Sequence, residues 1–172
     1  MNSDDSMYIT GYFSSYNGTS VPKITKLLST GVIDTSFTGG TGFNTSTQPN
    51  GLMRISGETS FYSFGYFTTY SGISANRIIK INSNGTQDTS FNSGTGFNNS
   101  IEYGYIIWTN KLLLGGTFTS YNGTLSNGTI VLNSDGTIYQ TFSTLYQGVF
   151  FIGNKLFGQP SGQPIELIAT YP

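Results

Sequence analysis

The feature of the sequence that most restricts its fold is an internal repeat of about fifty residues. Three segments share the pattern Gly-x-Phe-x-x-Tyr, and they begin at Gly11, Gly65 and Gly116, which are 54 and then 51 residues apart. Such a period is typical of chains that stack small similar units, because each unit buries its apolar surface only against its neighbours. The three glycines are therefore predicted to occupy equivalent structural positions.

A second motif recurs in the same phase and predicts a tight turn in every unit. It reads Ser-Thr-Gly at 29–31, Ser-Asn-Gly at 83–85 and Ser-Asp-Gly at 134–136, each time after a short apolar strand. Asn-Gly and Asp-Gly between strands are a strong hairpin signal, because type I′ turns need positive φ at both central residues. We therefore expect type I′ turns here. The strand after each turn ends in an aromatic residue: Phe37, Phe91 and Phe142.

Further motifs complete a unit of about four short strands. The sequence Gly-Thr-Gly-Phe-Asn occurs at 40–44 and 94–98, and apolar strands flank hairpin turns at 109–110 and 153–154. One four-stranded antiparallel sheet per repeat is the architecture of a β-propeller blade. A β-solenoid is the alternative, but its repeats are shorter. The predicted fold is all-β and β-propeller-like, with about three four-stranded antiparallel blades plus partial terminal strands.

The repeat also predicts how the 172-residue chain divides. We expect a single repeat domain over 1–172, whose parts are a partial last strand at 7–21, blades at 22–75 and 76–126, a degenerate blade at 127–161 and a partial first strand at 162–172. Closed propellers need about four to eight blades, so three cannot close a ring in the usual way. Open sheet edges pair readily with other chains. The missing blades are expected to come from a second copy or a neighbouring protein.

Composition supports an all-β protein and excludes several kinds of partner. The chain has 23 Gly, 12 Tyr and 13 Phe, which suit turns and half-buried strands. Only 9% of its residues are charged, the seven basic ones are scattered, and no positive patch for nucleic acid is visible. It has no Cys and no apolar run of membrane-spanning length, and we expect no signal peptide at its start. A net charge of -1 suits a part of a larger assembly, although uncharged polar side chains can also keep a chain soluble.

The motif set resembles the delta-sixty repeat family of β-propellers. The resemblance rests on the segments 11–19, 82–91, 94–98 and 116–124, and it covers most of residues 8–158. Members of that family occur in large bacterial surface proteins and in bacteriophage tail or fibre proteins. The resemblance implies a structural or adhesive module without catalytic residues.

The residues themselves offer little catalytic chemistry. There is no His, so a Ser-His-Asp triad and imidazole metal ligands are absent. Asp34 and Asp88 are repeat equivalents, and we expect each to cap backbone N–H groups in an Asx-type turn rather than to form a glycosidase pair. Glu58 lies in a hairpin turn and is expected to be solvated. No calcium loop is present, so we predict no metal, no cofactor and no catalytic residue.

A recurring tyrosine has two possible roles. Tyr16, Tyr70 and Tyr121 each precede a turn, and a row of tyrosines at blade edges could stack on sugars or pack against a protein. The favoured interpretation is that each closes the side of its own blade, and interaction is the alternative. The favoured function is a non-enzymatic bacteriophage virion protein of the tail, fibre or head-appendage type, bound to other virion proteins, to copies of itself or to a host surface glycan or protein. The alternative is a bacterial cell-surface module that binds carbohydrate or protein.

Overall fold

The computed structural model describes residues 5–44 and 48–170, whose regular secondary structure is almost entirely short β-strands. In chain order the strands are β1 (Met7–Thr10), β2 (Ser15–Tyr16), β3 (Thr19–Ser20), β4 (Ile24–Leu27), β5 (Pro49–Met53), β6 (Phe61–Gly65), β7 (Thr69–Tyr70), β8 (Ile73–Ser74), β9 (Ile78–Ile81), β10 (Ile101–Ile107), β11 (Lys111–Gly116), β12 (Ser120–Tyr121), β13 (Thr124–Leu125), β14 (Thr129–Leu132), β15 (Ile138–Thr141), β16 (Tyr146–Ile152), β17 (Lys155–Pro160) and β18 (Glu166–Thr170). A 3-10 turn, Trp108–Asn110, joins β10 to β11. Within these ranges no helical segment has the length and hydropathy of a membrane span.

The main strands form four antiparallel sheets in succession along the chain, named blades 1 to 4 here. Blade 1 contains β1 and β4, and blade 2 contains β5, β6 and β9. Blade 3 contains β10, β11, β14 and β15, and blade 4 contains β16, β17 and β18. Single bridges, Leu27 to Ile33 and Ile81 to Gln87, stand at the place of a fourth strand in blades 1 and 2. The predicted all-β fold of repeated antiparallel, propeller-like blades is confirmed.

The repeat glycines have equivalent backbone surroundings. Each lies at the end of the second strand of a blade or directly after it, and its N–H donates to the carbonyl of the residue just before the third strand. The pairs are Gly11 with Lys23 at 3.2 Å, Gly65 with Arg77 at 3.0 Å and Gly116 with Gly128 at 2.9 Å. The repeat period therefore reflects one recurring fold.

The sheets divide the chain differently from the predicted units. β1 pairs with β4 as β6 pairs with β9, so the opening motif is the second strand of blade 1 and not the last strand of a unit. β18 pairs with β17 as the third strand of blade 4, not as a first strand. The predicted spans 22–75, 76–126 and 127–161 each combine strands of two sheets. A repeating sequence does not show which of its strands comes first in a sheet, so only the hydrogen-bond pairing of the strands decides where each sheet begins.

The type I′ turns lie in a different hairpin from the predicted one. A small hairpin stands between the second and third strands of blades 1 to 3, and both its central residues have positive φ: Asn17-Gly18, Ser71-Gly72 and Asn122-Gly123. At the predicted turns only the glycine has positive φ, as at Gly85 with 91°. There Gly85 N–H donates to the Asn82 carbonyl and Asn82 N–H to the Thr86 carbonyl. This three-residue loop is a type I turn with a glycine bulge, so the type I′ prediction was wrong at these positions.

The core lies between the blades and not inside any one of them. Successive residues of the central strands point to opposite faces, so Phe61 packs towards blade 1 while Tyr62 packs towards blade 3. In the described residues three apolar clusters join blade 1 to 2, 2 to 3 and 3 to 4. The repeat phenylalanines each enter one of them: Phe37, Phe91 and Phe142. Each blade is therefore held by its neighbours.

Backbone contacts of the same kind recur from blade to blade. Thr38 N–H donates to the Asn84 carbonyl at 2.7 Å, and Asn92 N–H donates to the Asp135 carbonyl at 2.9 Å. The Tyr62 hydroxyl also donates to the Ser134 carbonyl, at 2.9 Å. These bonds attach the end of one blade to the turn of the next, which fixes the stacking register.

The Gly-Thr-Gly-Phe-Asn linkers act as wedges between consecutive blades. Phe97 of the second linker lies 4.6 Å from the Phe118 ring and 4.5 Å from the Tyr121 ring, measured between centroids. Asn98 Oδ1 accepts the N–H groups of Thr119 and Ser120 in the same hairpin. Phe43 makes the matching contacts in the first linker. An aromatic ring and an amide thus join each linker to the following blade.

Replacing the wedge ring is expected to destabilise the fold strongly. Phe97→Ala removes a ring that is 3% exposed and leaves a cavity between two blades, which costs about 3 to 5 kcal/mol of unfolding free energy. Phe150→Ala is the matched control, because its ring is 42% exposed and its loss costs under about 1 kcal/mol. Urea unfolding followed by tyrosine fluorescence measures both. Equal losses in the two variants would contradict the role of the wedge.

Candidate interaction surfaces

The recurring tyrosines do not form a surface row. Tyr70 and Tyr121 are each 1% exposed, and only Tyr16 is partly accessible. Each hydroxyl donates to the carbonyl of the turn glycine in its own blade, Tyr70 to Gly85 and Tyr121 to Gly136, both at 2.7 Å. Burial raises the pKa of both phenols above the usual range. The interaction hypothesis is wrong for these two tyrosines, and each closes the side of its own blade.

The repeat aspartates cap turns, as the sequence predicted. Asp34 Oδ1 accepts the Ser36 N–H at 2.9 Å, and Asp88 Oδ1 accepts the Ser90 N–H at 3.0 Å. A hydrogen bond from Lys26, followed by those from Ser36, lowers the pKa of Asp34 to about 2. Burial alone would raise the pKa of Asp88, but the hydrogen bonds from Ser90 and Ser60 and the charge of Lys80 together lower it. Both groups are therefore structural anions.

Glu58 is not simply solvated, contrary to the expectation. Its carboxylate lies 2.9 Å from Lys80 Nζ, and the Asp88 carboxylate lies 3.7 Å from the same ammonium. Lys80 is only 7% exposed and also lies over the Tyr62 ring at 5.3 Å. The prediction failed because Glu58, in the loop between β5 and β6, and Lys80 of β9 are far apart in sequence and are brought together only by the folded blade.

This cluster places two carboxylates around one lysine. A glycosidase needs one carboxyl group with a raised pKa, and Asp88 has a lowered one. The Lys80 ammonium also occupies the space between the two acids. Among the residues that the structure describes, no group of three or more His, Cys, Asp or Glu side chains could hold a metal ion.

Blade 4 presents an apolar face at one end of the stack. Val149 and Leu156 are buried against blade 3, whereas Phe150, Ile152 and Leu167 are 42%, 64% and 50% exposed. The Phe150 ring stacks on the Phe157 ring at 5.6 Å. The corresponding face of blade 3 packs against blade 4. The sequence contained this signal in the four consecutive apolar residues of 149–152, but the exposed face could not be identified without the stacking order.

Blade 1 has an incomplete edge at the opposite end. β1 pairs with β4 on one side, and the described residues contain no first strand on its other side. A cavity of about 180 Å³ lies along this edge, lined by Met7 and Tyr8 of β1 and by Leu52 and Phe61 of blade 2, among others. A second cavity, of about 240 Å³, is lined by Tyr12, Phe13, Ser14 and Lys23. In the described residues, the face of blade 4 and the edge of blade 1 are therefore exposed, whereas the matching surfaces of the blades between them pack against a neighbour.

These features define the class as a β-propeller repeat domain. Family models match residues 3–37, 64–91 and 109–142 to a β-propeller family described as a domain of unknown function (DUF5122). The matched segments cover more than half of the chain, so the chain belongs to this family. Each segment ends at one of the repeat phenylalanines. No curated protein and no solved structure matches the chain.

Removing one buried hydroxyl tests the closure of a blade. Tyr121→Phe leaves the Gly136 carbonyl without its donor inside the protein, so we expect a loss of about 1 to 2 kcal/mol in unfolding free energy. Tyr105→Phe, at a side chain that is 53% exposed, should change it by less than about 0.5 kcal/mol. Urea denaturation at neutral pH compares them. A Tyr121 variant as stable as the control would refute the closing role.

The lowered pKa of Asp34 predicts a pH-dependent contribution to stability. Its folded pKa of about 2 lies below the ordinary 3.8, so the ionised form stabilises the fold above about pH 4 and the contribution disappears as pH falls towards 2. Asp34→Asn should therefore cost about 1 kcal/mol at pH 6 and almost nothing at pH 2. Thermal unfolding across this range measures the difference, with exposed Glu102→Gln as control. A loss that did not change with pH would argue against the ion pair.

Proposed function

We propose that this protein is a non-enzymatic structural subunit that docks into a larger assembly through the ends of its blade stack. The observation that carries the proposal is the apolar face of blade 4. Each of the three interfaces between consecutive blades in the described chain is a cluster of buried apolar residues. A face that repeats this chemistry at the end of the stack is suited to bind another protein.

The exposed residues of blade 4 have the arrangement of an interface and not of scattered surface side chains. Phe150 and Ile152 alternate along β16 with Val149 and Phe151, which pack towards blade 3. Leu167 of β18 is exposed on the same blade. A contiguous apolar patch on a soluble domain marks an interaction site or an aggregation risk. A partner that covers this patch would be stabilised by burial of apolar surface, as blade 3 and blade 4 are stabilised by the apolar surface that they bury together.

The charge distribution favours assembly. The formal net charge is -1, so copies or partners meet little long-range repulsion. Several charges are already used inside the fold, because Lys26 pairs with Asp34 at 2.8 Å and Lys80 with Glu58 at 2.9 Å. The free ends of the stack therefore rely on shape and apolar contact.

The assembly that we propose is a bacteriophage particle, in which the chain is a tail, fibre or head-appendage protein. The support is the resemblance of its motifs to delta-sixty repeats, together with a surface rich in Asn, Thr and Gly. Mass spectrometry of purified virus particles from the source of the gene tests it. Detection in stoichiometric amount supports the virion assignment, and absence from the particles refutes it.

The second candidate is a bacterial cell-surface module that binds carbohydrate or protein. Exposed tyrosines favour it, because phenol rings stack well on sugars, and Tyr12, Tyr105 and Tyr139 are 74%, 53% and 44% exposed. These rings belong to three different parts of blades 1 and 3, and Tyr12 has an exposed repeat equivalent in blade 2, Tyr66, at 42%. A glycan array with the purified chain distinguishes the candidates, and retention of no glycan would count against this one.

The docking face is tested by charge substitution. Ile152→Asp combined with Leu167→Asp places two carboxylates on the blade 4 face, and burying them in an apolar interface is costly. We expect the native mass, measured by light scattering after size exclusion at micromolar concentration, to fall to that of the monomer. Leu125→Asp is the matched control, because Leu125 is 80% exposed on the small hairpin of blade 3. A wild-type chain that is monomeric alone and binds no partner from its assembly would overturn the proposal.

A further inference from the structure

Blade 4 departs from the other blades on the side where the small hairpins lie. Residues 161–165 join β17 to β18, whereas residues 117–128 join β11 to β14 and contain the hairpin of β12 and β13. The linker into blade 4 is also short, because residues 143–145 precede β16, where residues 92–100 precede β10. Both shortened segments are internal and described. The junction between blades 3 and 4 is therefore less covered on this side than the junction before it.

A cavity lies beside the small hairpin of blade 3, next to the short linker. Its volume is about 380 Å³, and its walls include Thr119, Leu125 and Asn127 of blade 3 and, near the end of β15, Thr141 and Ser143. It is larger than the two cavities beside blade 1. Pockets that hold small ligands in proteins begin at about 300 Å³. The cavity is therefore large enough for a small molecule.

The preceding junction is closed at the matching place. Asn76 is the repeat equivalent of Asn127, and its carbonyl accepts the N–H of the linker residue Phe97 at 3.2 Å. A Cβ atom on Gly96 of the same linker would lie 2.6 Å from this carbonyl oxygen. The Asn127 N–H donates to the Phe142 carbonyl at 2.7 Å, but no described residue donates to the Asn127 carbonyl. That oxygen remains available to a ligand.

A hydroxyl group in the cavity wall is released by a second departure from the repeat. In blade 1 the Ser36 hydroxyl donates to the Asp34 carboxylate at 2.6 Å. The equivalent residues of blade 3 are Thr141 and Tyr139, so the carboxylate that would bind this hydroxyl is absent. Thr141 lines the cavity instead. Its hydroxyl can therefore donate to a ligand and accept from it.

The remaining wall combines another hydroxyl with an exposed apolar side chain. Thr119 Oγ1 accepts the Asn98 side-chain amide at 2.8 Å, which leaves the Thr119 O–H as a donor. Leu125 is 80% exposed and stands where the other two units have Ser20 and Ser74. The cavity thus offers hydrogen-bonding groups beside one apolar patch.

We propose that this cavity binds a neutral saccharide through one pyranose ring. None of its described lining residues is charged, so neither an anion nor a cation would find a counter-charge there. A sugar hydroxyl both donates and accepts, which matches the hydroxyls of Thr119 and Thr141 and the Asn127 carbonyl. The C–H face of the ring would pack on Leu125. A purely apolar ligand would leave the polar groups of the wall unsatisfied. The site is separate from the apolar face of blade 4 and does not depend on docking there.

The probes are the methyl glycosides of glucose, galactose, mannose and N-acetylglucosamine. Each is titrated into the full chain to about 20 mM, well above a dissociation constant of about 1 mM. For at least one of them we expect saturable shifts in two-dimensional amide NMR spectra at residues 119, 125–127 and 141–143. Saturation transfer from the protein to the C–H protons of the same sugar should accompany the shifts.

Variants of the wall locate the site. Thr141→Val removes one hydroxyl at nearly unchanged volume and should weaken binding about three- to tenfold. Leu125→Ser restores the residue of the other units and should weaken it about threefold or more. Thr19→Val and Ile73→Ser are the matched controls, because they make similar changes on the hairpins of blades 1 and 2. Both controls should bind as the wild-type chain does.

Three results would refute the saccharide site: no shift with any of the four glycosides, shifts confined to residues outside the cavity, or an affinity that neither wall variant changes. Dilution of the protein alone tests the other occupant. Concentration-dependent shifts at residues 125–127 without sugar would show that a second copy covers the cavity, and the proposal would then be wrong. The variant with Ile152→Asp and Leu167→Asp should still bind the sugar, so failure of this site and failure of the docking face are distinguishable.

Discussion

Each blade has two apolar faces, and this property organises the molecule. Side chains alternate across the central strands, so Tyr62 and Phe64 face blade 3 while Phe61 faces blade 1. A sheet of three or four short strands cannot cover both faces itself, and its stability comes from its neighbours. In the described part of the chain, four blades bury three interfaces and leave an apolar face of blade 4 exposed. The proposed role in an assembly follows from this face.

Local devices make the stacking specific. A linker phenylalanine enters an aromatic slot of the following blade, and a buried tyrosine ties that blade's small hairpin to its own turn. Lys26 and Lys80 occupy one repeat position and pair with acids in their own sheets. The tyrosine bond and the lysine–acid pair are also made in blade 1, where the Tyr16 hydroxyl donates to the Gly31 carbonyl and Lys26 pairs with Asp34. The linker phenylalanines, Phe43 and Phe97, contact the aromatic rings of blades 2 and 3.

Several features were predictable because they depend on residues close in sequence. The hairpins at 109–110 and 153–154 form as predicted. Asp34 and Asp88 cap turns two residues ahead, which the Asp-Thr-Ser pattern indicates. Glu58 was misjudged because its partner Lys80 is distant in sequence. The turn type at 83–85 was misjudged because the dipeptide signal does not reveal whether the loop contains two residues or three.

The sequence by itself determined that small β units recur with a period near fifty residues, and that glycine, tyrosine and phenylalanine hold matching places in them. Local turn chemistry and alternating apolar residues are sufficient for that. Only the tertiary structure decided where each blade begins, which tyrosines are buried and which faces remain open. Those properties depend on hydrogen bonds and packing between residues tens of positions apart, and a periodic pattern is the same wherever its first unit starts.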